Sequence, residues 1–268
     1  MGKIGIFDSG FGGLSILKEI VKVLPSYDYI YLGDTARTPY GSHSQETIFE
    51  YTKQGVDFLF AHGAELIVLA CNTASSEALR KIQQEYLPKY PGKKVLGVII
   101  PACEDAFRRT KNKKIGVLGT EATVASHAFR RELQKLDPAI EVFEVAAPLL
   151  VPLVEAGEEE SESARIFTKQ YVDEILPKEI DTLILGCTHY GFFENMIKQQ
   201  VSDVEIISEG KIVGEKLQEY LLKHSDIDEK LSRQSKLEFY TTDSVESFDR
   251  HGSRFFGREI KSERVSLS

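Results

Sequence analysis

Long apolar runs, basic clusters and closely spaced cysteines are all missing from this sequence. No run of 18 or more apolar residues occurs, which excludes a membrane-spanning helix. No basic block stands out and the net charge is −8, which argues against a nucleic-acid-binding surface. The amino end also lacks the apolar region of a signal peptide. We therefore expect a cytoplasmic protein that binds neither nucleic acids nor membranes.

The few cysteines and histidines exclude two further classes of protein. The three cysteines, Cys71, Cys103 and Cys187, are an odd number without tight spacing, which suits free thiols in a reducing compartment. Cys103 lies in a setting typical of a structural residue near a helix start. The six histidines show no ligand spacing. We expect no disulfide framework and no metal site.

Short β-branched segments alternate with helical patterns along nearly the whole chain. This alternation is typical of βαβ units and mostly parallel sheets that helices cover on both faces. Strands are predicted at residues 3–7, 28–33, 65–70, 94–99, 113–118, 140–146, 181–186, 204–207 and 237–242.

Two parts of the sequence repeat each other. The segment Ile4–Phe7 is similar to Ile115–Leu118, and the cysteine at 71 has a counterpart at 187, at offsets of 111 and 116 residues. A late strand and helix most plausibly return to the first repeat. We predict an α/β fold of two related three-layer domains with an interdomain cleft. The domains are residues 1–96 with 208–268, and residues 97–207.

Cys71 and Cys187 occur in matching settings. Each follows a short apolar strand and precedes small polar residues and a helical pattern. A cysteine at such a corner lies at the amino end of a helix, where its pKa is lowered and backbone N–H groups hold an anion. His189, two residues after Cys187, is a possible proton partner. The alternatives are burial of both cysteines as small apolar residues, His189 as a helix cap, or a disulfide between Cys71 and Cys187.

Two more loops follow predicted strands. Asp8 and Ser9 begin a glycine-rich turn that does not fit the dinucleotide pattern G-x-G-x-x-G, so a nucleotide site is the weaker interpretation. Asp8 is either a helix cap or a carboxylate that faces an ammonium group or a thiol. Pro39–Ser42 forms a turn that either binds a ligand through backbone and hydroxyl donors or only connects two elements. Glu155 either accompanies His189 or belongs to an acidic first helical turn.

These motifs together resemble the glutamate racemase family over nearly the full length. The resemblance rests on the Asp8-Ser9-Gly10 start, Gly33–Arg37, Pro39-Tyr40-Gly41, and the triplets that begin at Cys71 and Cys187. Each motif alone is weak, whereas the combination is specific. Gly191 replaces the usual proline of the family, and Ser208–Gly210 matches its motif only loosely.

The resemblance implies a cofactor-independent enzyme that interconverts L- and D-glutamate for peptidoglycan synthesis. It also implies glutamate as the small-molecule substrate and a homodimer as the assembly. By matching position, Cys71 and Cys187 are the acid/base residues, and Asp8 and His189 assist them. The implied substrate-binding residues are Asp8, Ser9, Pro39, Tyr40, Gly41, Ser42, Asn72, Thr73, Glu155, Thr188 and His189.

Other functions remain open at this stage. An aspartate racemase of the same superfamily shares the paired cysteines. A thiol redox protein would cycle Cys71 and Cys187 through a disulfide, and a binding module would hold glutamate without exchanging its α-proton. If the two-base mechanism holds, one cysteine is thiolate while the other is thiol, so one thiol pKa must fall from about 8.5 into the working range.

Overall fold

The computed structural model describes residues 2–267. Its strands are β1 (Lys3–Asp8), β2 (Tyr29–Gly33), β3 (Ala64–Leu69), β4 (Lys94–Gly97), β5 (Lys114–Gly119), β6 (Glu141–Ala146), β7 (Thr182–Gly186), β8 (Glu205–Ile207), β9 (Leu237–Thr241) and β10 (Ser262–Arg264). Its α-helices are α1 (Gly13–Val23), α2 (Gln45–Ala61), α3 (Asn72–Glu77), α4 (Leu79–Lys81), α5 (Ile99–Arg109), α6 (Glu121–Ser126), α7 (Ala128–Leu136), α8 (Leu150–Ala156), α9 (Glu162–Ile175), α10 (Glu194–Lys198), α11 (Glu209–Lys223), α12 (Ser225–Asp228) and α13 (Val245–Phe256). Shorter turns of 3₁₀ helix occur at Thr35–Arg37, Tyr40–Ser42, Leu87–Lys89, Leu176–Lys178 and Tyr190–Phe193, and a π-helical turn at Ile82–Tyr86.

The described chain forms two compact units, each built on one sheet. The first contains the residues up to Val98 and those from Gly210 onward, and the second contains Ile99–Glu209. The first sheet has the order β10-β9-β2-β1-β3-β4 and the second β6-β5-β7-β8. Every pairing between these strands is parallel, which confirms the predicted α/β fold with parallel sheets.

The two sheets share one internal topology. The order β2-β1-β3-β4 in the first unit corresponds, strand for strand, to β6-β5-β7-β8 in the second. β1 and β5, which carry the matching sequences, are the central strands of these four-stranded sets. Cys71 follows β3 and Cys187 follows β7, so the two cysteines occupy equivalent places in the two units. This agreement supports the internal repeat seen in the sequence.

The central strands are buried because helices cover both faces of the sheet. Ile4, Ile6 and Phe7 of β1 are fully buried, and Leu17 and Ile20 of α1 pack at the apolar spacing predicted for that helix. Among the helices of residues 2–267, none combines the length and the apolar composition needed to span a bilayer.

The carboxyl-terminal segment completes the first sheet. β9 pairs with β2 in a register that places Thr241 beside Gly33. β10 pairs with β9, and α13 contacts α1. The end of β9 therefore lies beside the loop that follows β2.

A buried carboxylate fixes the approach to β9. Asp28 accepts a hydrogen bond of 2.6 Å from the Ser232 hydroxyl and bonds of 2.9 Å from the amides of Gln234 and Lys236. Burial raises the pKa of Asp28, but these hydrogen bonds outweigh burial and hold the pKa below its ordinary value. The charged form of Asp28 therefore stabilises the folded state.

Replacing this carboxylate is expected to destabilise the protein in a pH-dependent way. Because the folded pKa of Asp28 is lowered, its contribution is complete above the unfolded pKa of about 4 and is lost as pH falls through the folded pKa. Asp28→Asn should lower the free energy of unfolding by about 1–2 kcal/mol at neutral pH and by less in acid. Urea denaturation at both pH values measures this difference. Asp173→Asn, which removes the exposed partner of Lys169, should have almost no effect. An equal loss at both pH values for Asp28→Asn would contradict the assignment.

Candidate functional site

Cys71 lies at the junction between β3 and α3. It is the N-cap residue of α3, and its sulfur accepts a hydrogen bond of 3.5 Å from the Ala74 amide. Serine or aspartate usually makes this contact, so the thiol takes the place of a common capping oxygen. Cys71 is 6% exposed. The predicted strand-to-helix corner is therefore present at Cys71.

Asp8 and Ser9 bring polar groups from the end of β1 to this thiol. The Ser9 hydroxyl lies 3.4 Å from the Cys71 sulfur. The Gly10 amide donates a hydrogen bond of 2.9 Å to the Asp8 carboxylate, and the Tyr31 hydroxyl donates one of 2.9 Å to the Gly10 carbonyl. These contacts hold the turn after β1 and aim a buried carboxylate toward the thiol.

The pKa of Cys71 is opposite in direction to the sequence-based expectation. Burial raises the pKa of the thiol and the Asp8 carboxylate raises it further, while hydrogen bonds from Ser9 and Ala74 lower it, with a net value of about 11. The expectation that the helix end lowers the pKa of Cys71 is wrong. The six-residue helix and the hydrogen bonds from Ser9 and Ala74 do not compensate for desolvation beside a negative charge.

The Pro39–Ser42 turn belongs to the same unit as Cys71. A cis peptide bond joins Thr38 to Pro39, and the Tyr40 side chain is 1% exposed. The Tyr40 hydroxyl donates a hydrogen bond of 2.5 Å to Asp34, so it is already engaged. Ser42 is exposed and its hydroxyl donates to the Pro39 carbonyl at 3.2 Å. The candidate ligand donors of this turn are thus its backbone amides and Ser42.

Asn72 and Thr73 are the first two residues of α3. They are 2% and 3% exposed. Amides in the first turn of a helix have no carbonyl partner within that helix. The two residues can therefore present backbone and side-chain donors next to the thiol of Cys71.

Cys187 lies at the end of β7, in the second unit. It is 8% exposed, and its carbonyl accepts a hydrogen bond of 2.9 Å from the Tyr190 amide. The chain then continues as a 3₁₀ turn at Tyr190–Phe193 and only afterwards as α10. The sequence predicted a helical pattern here, and the structure has a tighter 3₁₀ turn before the α-helix begins.

A buried tyrosine holds this tighter turn. The Tyr190 hydroxyl lies 2.7 Å from the Ala147 carbonyl and 3.2 Å from the Gly119 carbonyl, which lie at the ends of β6 and β5. The side chain is fully buried. Tyr190 therefore fixes the Cys187 corner to the carboxyl edge of its sheet.

His189 connects Cys187 to a carboxylate. Its Nδ1 atom is 3.9 Å from the Cys187 sulfur and 3.4 Å from the Thr188 hydroxyl. Its Nε2 atom is 3.3 Å from the carboxylate of Glu155, which lies on α8. A carboxylate on one ring nitrogen orients the imidazole and leaves the other nitrogen to exchange a proton with the thiol.

The predicted site residues thus form two sets, one in each unit. The set around Cys71 contains Asp8, Ser9, Asn72, Thr73 and the turn from Pro39 to Ser42, and the set around Cys187 contains Glu155, Thr188 and His189. Cys103 belongs to neither set, since its thiol lies on α5, 3.8 Å from the Phe129 carbonyl. The three cysteines are free thiols. Among residues 2–267, no group of three or more histidine, cysteine or acidic side chains has the arrangement of a metal site.

Sequence reasoning missed three residues that support the site, Asp34, Tyr190 and Thr242. Asp34 and Tyr190 occur inside the motifs that were singled out, but nothing in their spacing indicates what they contact. Thr242 follows β9, and its role depends on a pairing between β2 and β9 that sequence alone does not show.

Comparisons with known proteins place the chain in a family. The family model Asp/Glu/Hydantoin racemase matches residues 4–215. A glutamate racemase from a Sulfurihydrogenibium species is 41% identical over 99% of this chain and 97% of its own length. A crystal structure of a glutamate racemase from Bacillus anthracis superposes with a TM-score of 0.91 at 36% identity, covering 99% of this chain and 98% of that one.

A second solved structure carries a bound ligand. The glutamate racemase from Francisella tularensis in complex with D-glutamate has a TM-score of 0.90 and 32% identity, and covers 100% of this chain and 98% of that one. The family model, the full-length similarity and the fold agree. The chain belongs to the Asp/Glu/Hydantoin racemase family and groups within it with the glutamate racemases.

Proposed function

We propose that this chain interconverts L- and D-glutamate by a two-base exchange of the α-proton, without a cofactor. The observation that carries the proposal is the equivalent placement of Cys71 and Cys187 at the ends of β3 and β7, each beside its own proton-handling neighbours. The relatives named above, which are 32% to 41% identical to this chain, are glutamate racemases. A role in supplying D-glutamate for peptidoglycan, a cytoplasmic location and a homodimer belong to the same proposal.

The chemistry assigns one thiol to each face of the substrate α-carbon. The thiolate of one cysteine removes the α-proton and becomes a thiol, and the electron pair of the C–H bond remains on the substrate as a carbanion. The other cysteine delivers its proton to the opposite face and becomes a thiolate. The two cysteines exchange roles when the substrate has the other hand, so the enzyme works in both directions.

The α-proton is a weak acid, and the carbanion therefore needs stabilisation. Negative charge that develops on the α-carboxylate is best held by preorganised donors in a site from which water is excluded. Asn72, Thr73 and Thr188 are uncharged, buried polar residues next to the two thiols, and we assign them this role.

The raised pKa of Cys71 fits a substrate-linked activation. Burial is the larger cause of that raised pKa, and the Asp8 carboxylate is the next. The ammonium group of glutamate carries the opposite charge, and when it binds beside Asp8 it cancels the repulsion between carboxylate and thiolate. The proposed role of Asp8 is therefore to receive the ammonium group and to make thiolate formation at Cys71 depend on substrate.

One assay tests the proposal against its rivals. L-Glutamate is incubated with the protein in heavy water without added cofactor, and optical rotation and deuterium at Cα are followed together. We expect the rotation to decay to zero while Cα gains deuterium. Parallel incubations with L-aspartate, and with an added oxidant or reductant, test an aspartate racemase and a thiol redox protein.

Each rival gives a different outcome. Binding of glutamate without loss of rotation or deuterium uptake indicates a binding module. Deuterium uptake with retained rotation indicates a single base. Faster racemisation of aspartate than of glutamate would assign the other substrate, and activity that depends on oxidant would assign redox chemistry.

A further inference from the structure

The residue after β9 makes two hydrogen bonds to the loop that follows β2. The Thr242 hydroxyl donates to the Asp34 carboxylate at 2.9 Å and accepts a hydrogen bond from the Ala36 amide at 3.0 Å. The preceding residue, Thr241, adds a contact of 2.6 Å between its hydroxyl and that of Thr35. Residues about 206 positions apart in sequence are thus joined by side-chain contacts.

Asp34 connects Thr242 to the Pro39–Ser42 turn, because its carboxylate bonds to side chains of both. Its carboxylate is fully buried and accepts hydrogen bonds from the Tyr40 hydroxyl at 2.5 Å and from the Arg37 Nε at 2.7 Å. Its backbone amide donates to the Asp8 carbonyl at 3.0 Å. One buried carboxylate therefore joins the end of β1, the end of β9 and the turn.

The backbone at Gly33, just before this loop, is closely packed against neighbouring residues. A side chain at Gly33 would lie 2.6 Å from the Gly10 carbonyl oxygen and 2.7 Å from the Phe248 ring. The Arg37 guanidinium also packs against an aromatic ring, with its Cζ atom 4.1 Å from the centre of the Tyr51 ring. The loop from Asp34 to Ser42 is consequently held by side chains rather than by a sheet ladder.

We propose that Thr242 is a positioning residue for the racemase reaction, which acts through Asp34 and the Ala36 amide to hold the Tyr40–Ser42 turn in its ligand-binding geometry. This inference rests on the proposed function, because it assumes that the turn binds the substrate. In the part of the chain that the structure describes, the hydroxyl of Thr242 bonds to Asp34 and Ala36 and not to a cysteine, so we assign it no part in proton transfer. Its effect is therefore on substrate binding.

The test compares Thr242→Val with Thr242→Ser. Valine keeps the shape of threonine and removes the hydroxyl, whereas serine keeps the hydroxyl. The two hydrogen bonds order a turn that binds the substrate, so their loss weakens binding equally in the ground state and the transition state. Thr242→Val should therefore raise KM about 5- to 10-fold and leave kcat within about twofold. Thr242→Ser should restore most of the affinity.

A matched control removes a threonine hydroxyl elsewhere. Thr168 on α9 is fully buried in the second unit, and its hydroxyl has no hydrogen-bond partner among the described residues. Thr168→Val should leave KM unchanged. A merely structural role for Thr242 would instead lower thermal stability and the fraction of active enzyme, with KM unaltered, and that result would overturn the inference.

A second variant tests the route through Asp34. Tyr40→Phe removes the other hydroxyl that donates to this carboxylate. If both hydroxyls act through Asp34, the increase in KM of the double variant is smaller than the product of the two single increases. Independent, multiplicative effects contradict the proposed route. If the unaltered protein does not racemise glutamate at all, the proposed function fails. If it does, and Thr242→Val has an unchanged KM, only the inference about Thr242 is rejected.

Discussion

Cys71→Ser and Cys187→Ser are each expected to reduce glutamate racemisation by a factor of about a thousand or more. A positioned acid or base contributes about 10²–10⁴ to a rate, and a serine hydroxyl is too weak an acid to replace a thiol in either role. Because each direction of the reaction needs one base and one acid, a single replacement blocks both directions. The measurement is the loss of optical rotation from L- and from D-glutamate.

Cys103→Ala is the matched control for this pair. Cys103 is buried like the other two cysteines, but its sulfur lies 3.8 Å from the Phe129 carbonyl and belongs to neither set of site residues. Its removal should leave the activity per folded molecule near that of the unaltered protein. Near-normal racemisation by either Cys71→Ser or Cys187→Ser would disprove the two-base mechanism.

A substrate analogue with a leaving group distinguishes a variant that has lost one base from a variant whose whole site is inactive. When a glutamate analogue carries a good leaving group on Cβ, removal of the α-proton forms a Cα=Cβ double bond and expels that group. This elimination needs one base and no proton return. Each serine variant should therefore retain elimination from one enantiomer of the analogue and lose it from the other.

The fold could be predicted from the sequence because nearly every strand and helix has its own apolar pattern and end residues. Predicted strands coincide with β1–β9 to within one or two residues, and Ser244 and Gly257 bound α13 as its N-cap and its positive-φ end residue. The prediction for residues 94–99 runs too far, because α5 begins at Ile99. Pro101 lies in the first turn of that helix, where a missing N–H costs nothing. β10 was missed because its three residues contain no apolar side chain.

The candidate site was predictable only in part. Asp8, Ser9 and the two cysteines are found at strand ends, and such positions can be inferred from the order of elements. The contacts of Asp34 with Thr242 could not be inferred, since these residues are 208 positions apart and their proximity depends on the β2–β9 register. The direction of the Cys71 pKa was also beyond sequence reasoning, because it follows from the depth of burial and from the position of one carboxylate.

Asp8→Asn and His189→Asn are expected to slow elimination from opposite enantiomers of the analogue with the leaving group. Asp8 lies beside Cys71, while the Nδ1 atom of His189 is 3.9 Å from the sulfur of Cys187. Each replacement should slow, by about tenfold or more, elimination from the enantiomer whose α-proton the neighbouring cysteine removes. The serine variants identify that enantiomer for each cysteine. Asp8→Asn also removes the proposed partner of the ammonium group, which weakens binding of both enantiomers, so its selective effect is the change in the ratio of the two elimination rates. Rates of elimination from the separate L and D analogues provide the measurement.

Racemisation itself cannot reveal this asymmetry. L- and D-glutamate are mirror images with equal free energies, so kcat/KM must fall equally in both directions for every variant. Elimination is free of this constraint because each hand uses one base. Glu155 contacts the Nε2 atom of His189 at 3.3 Å, so Glu155→Gln should slow the same hand as His189→Asn, by a smaller factor. If Asp8→Asn and His189→Asn slow the same hand, or both hands equally, the assignment of one assisting residue to each cysteine is wrong.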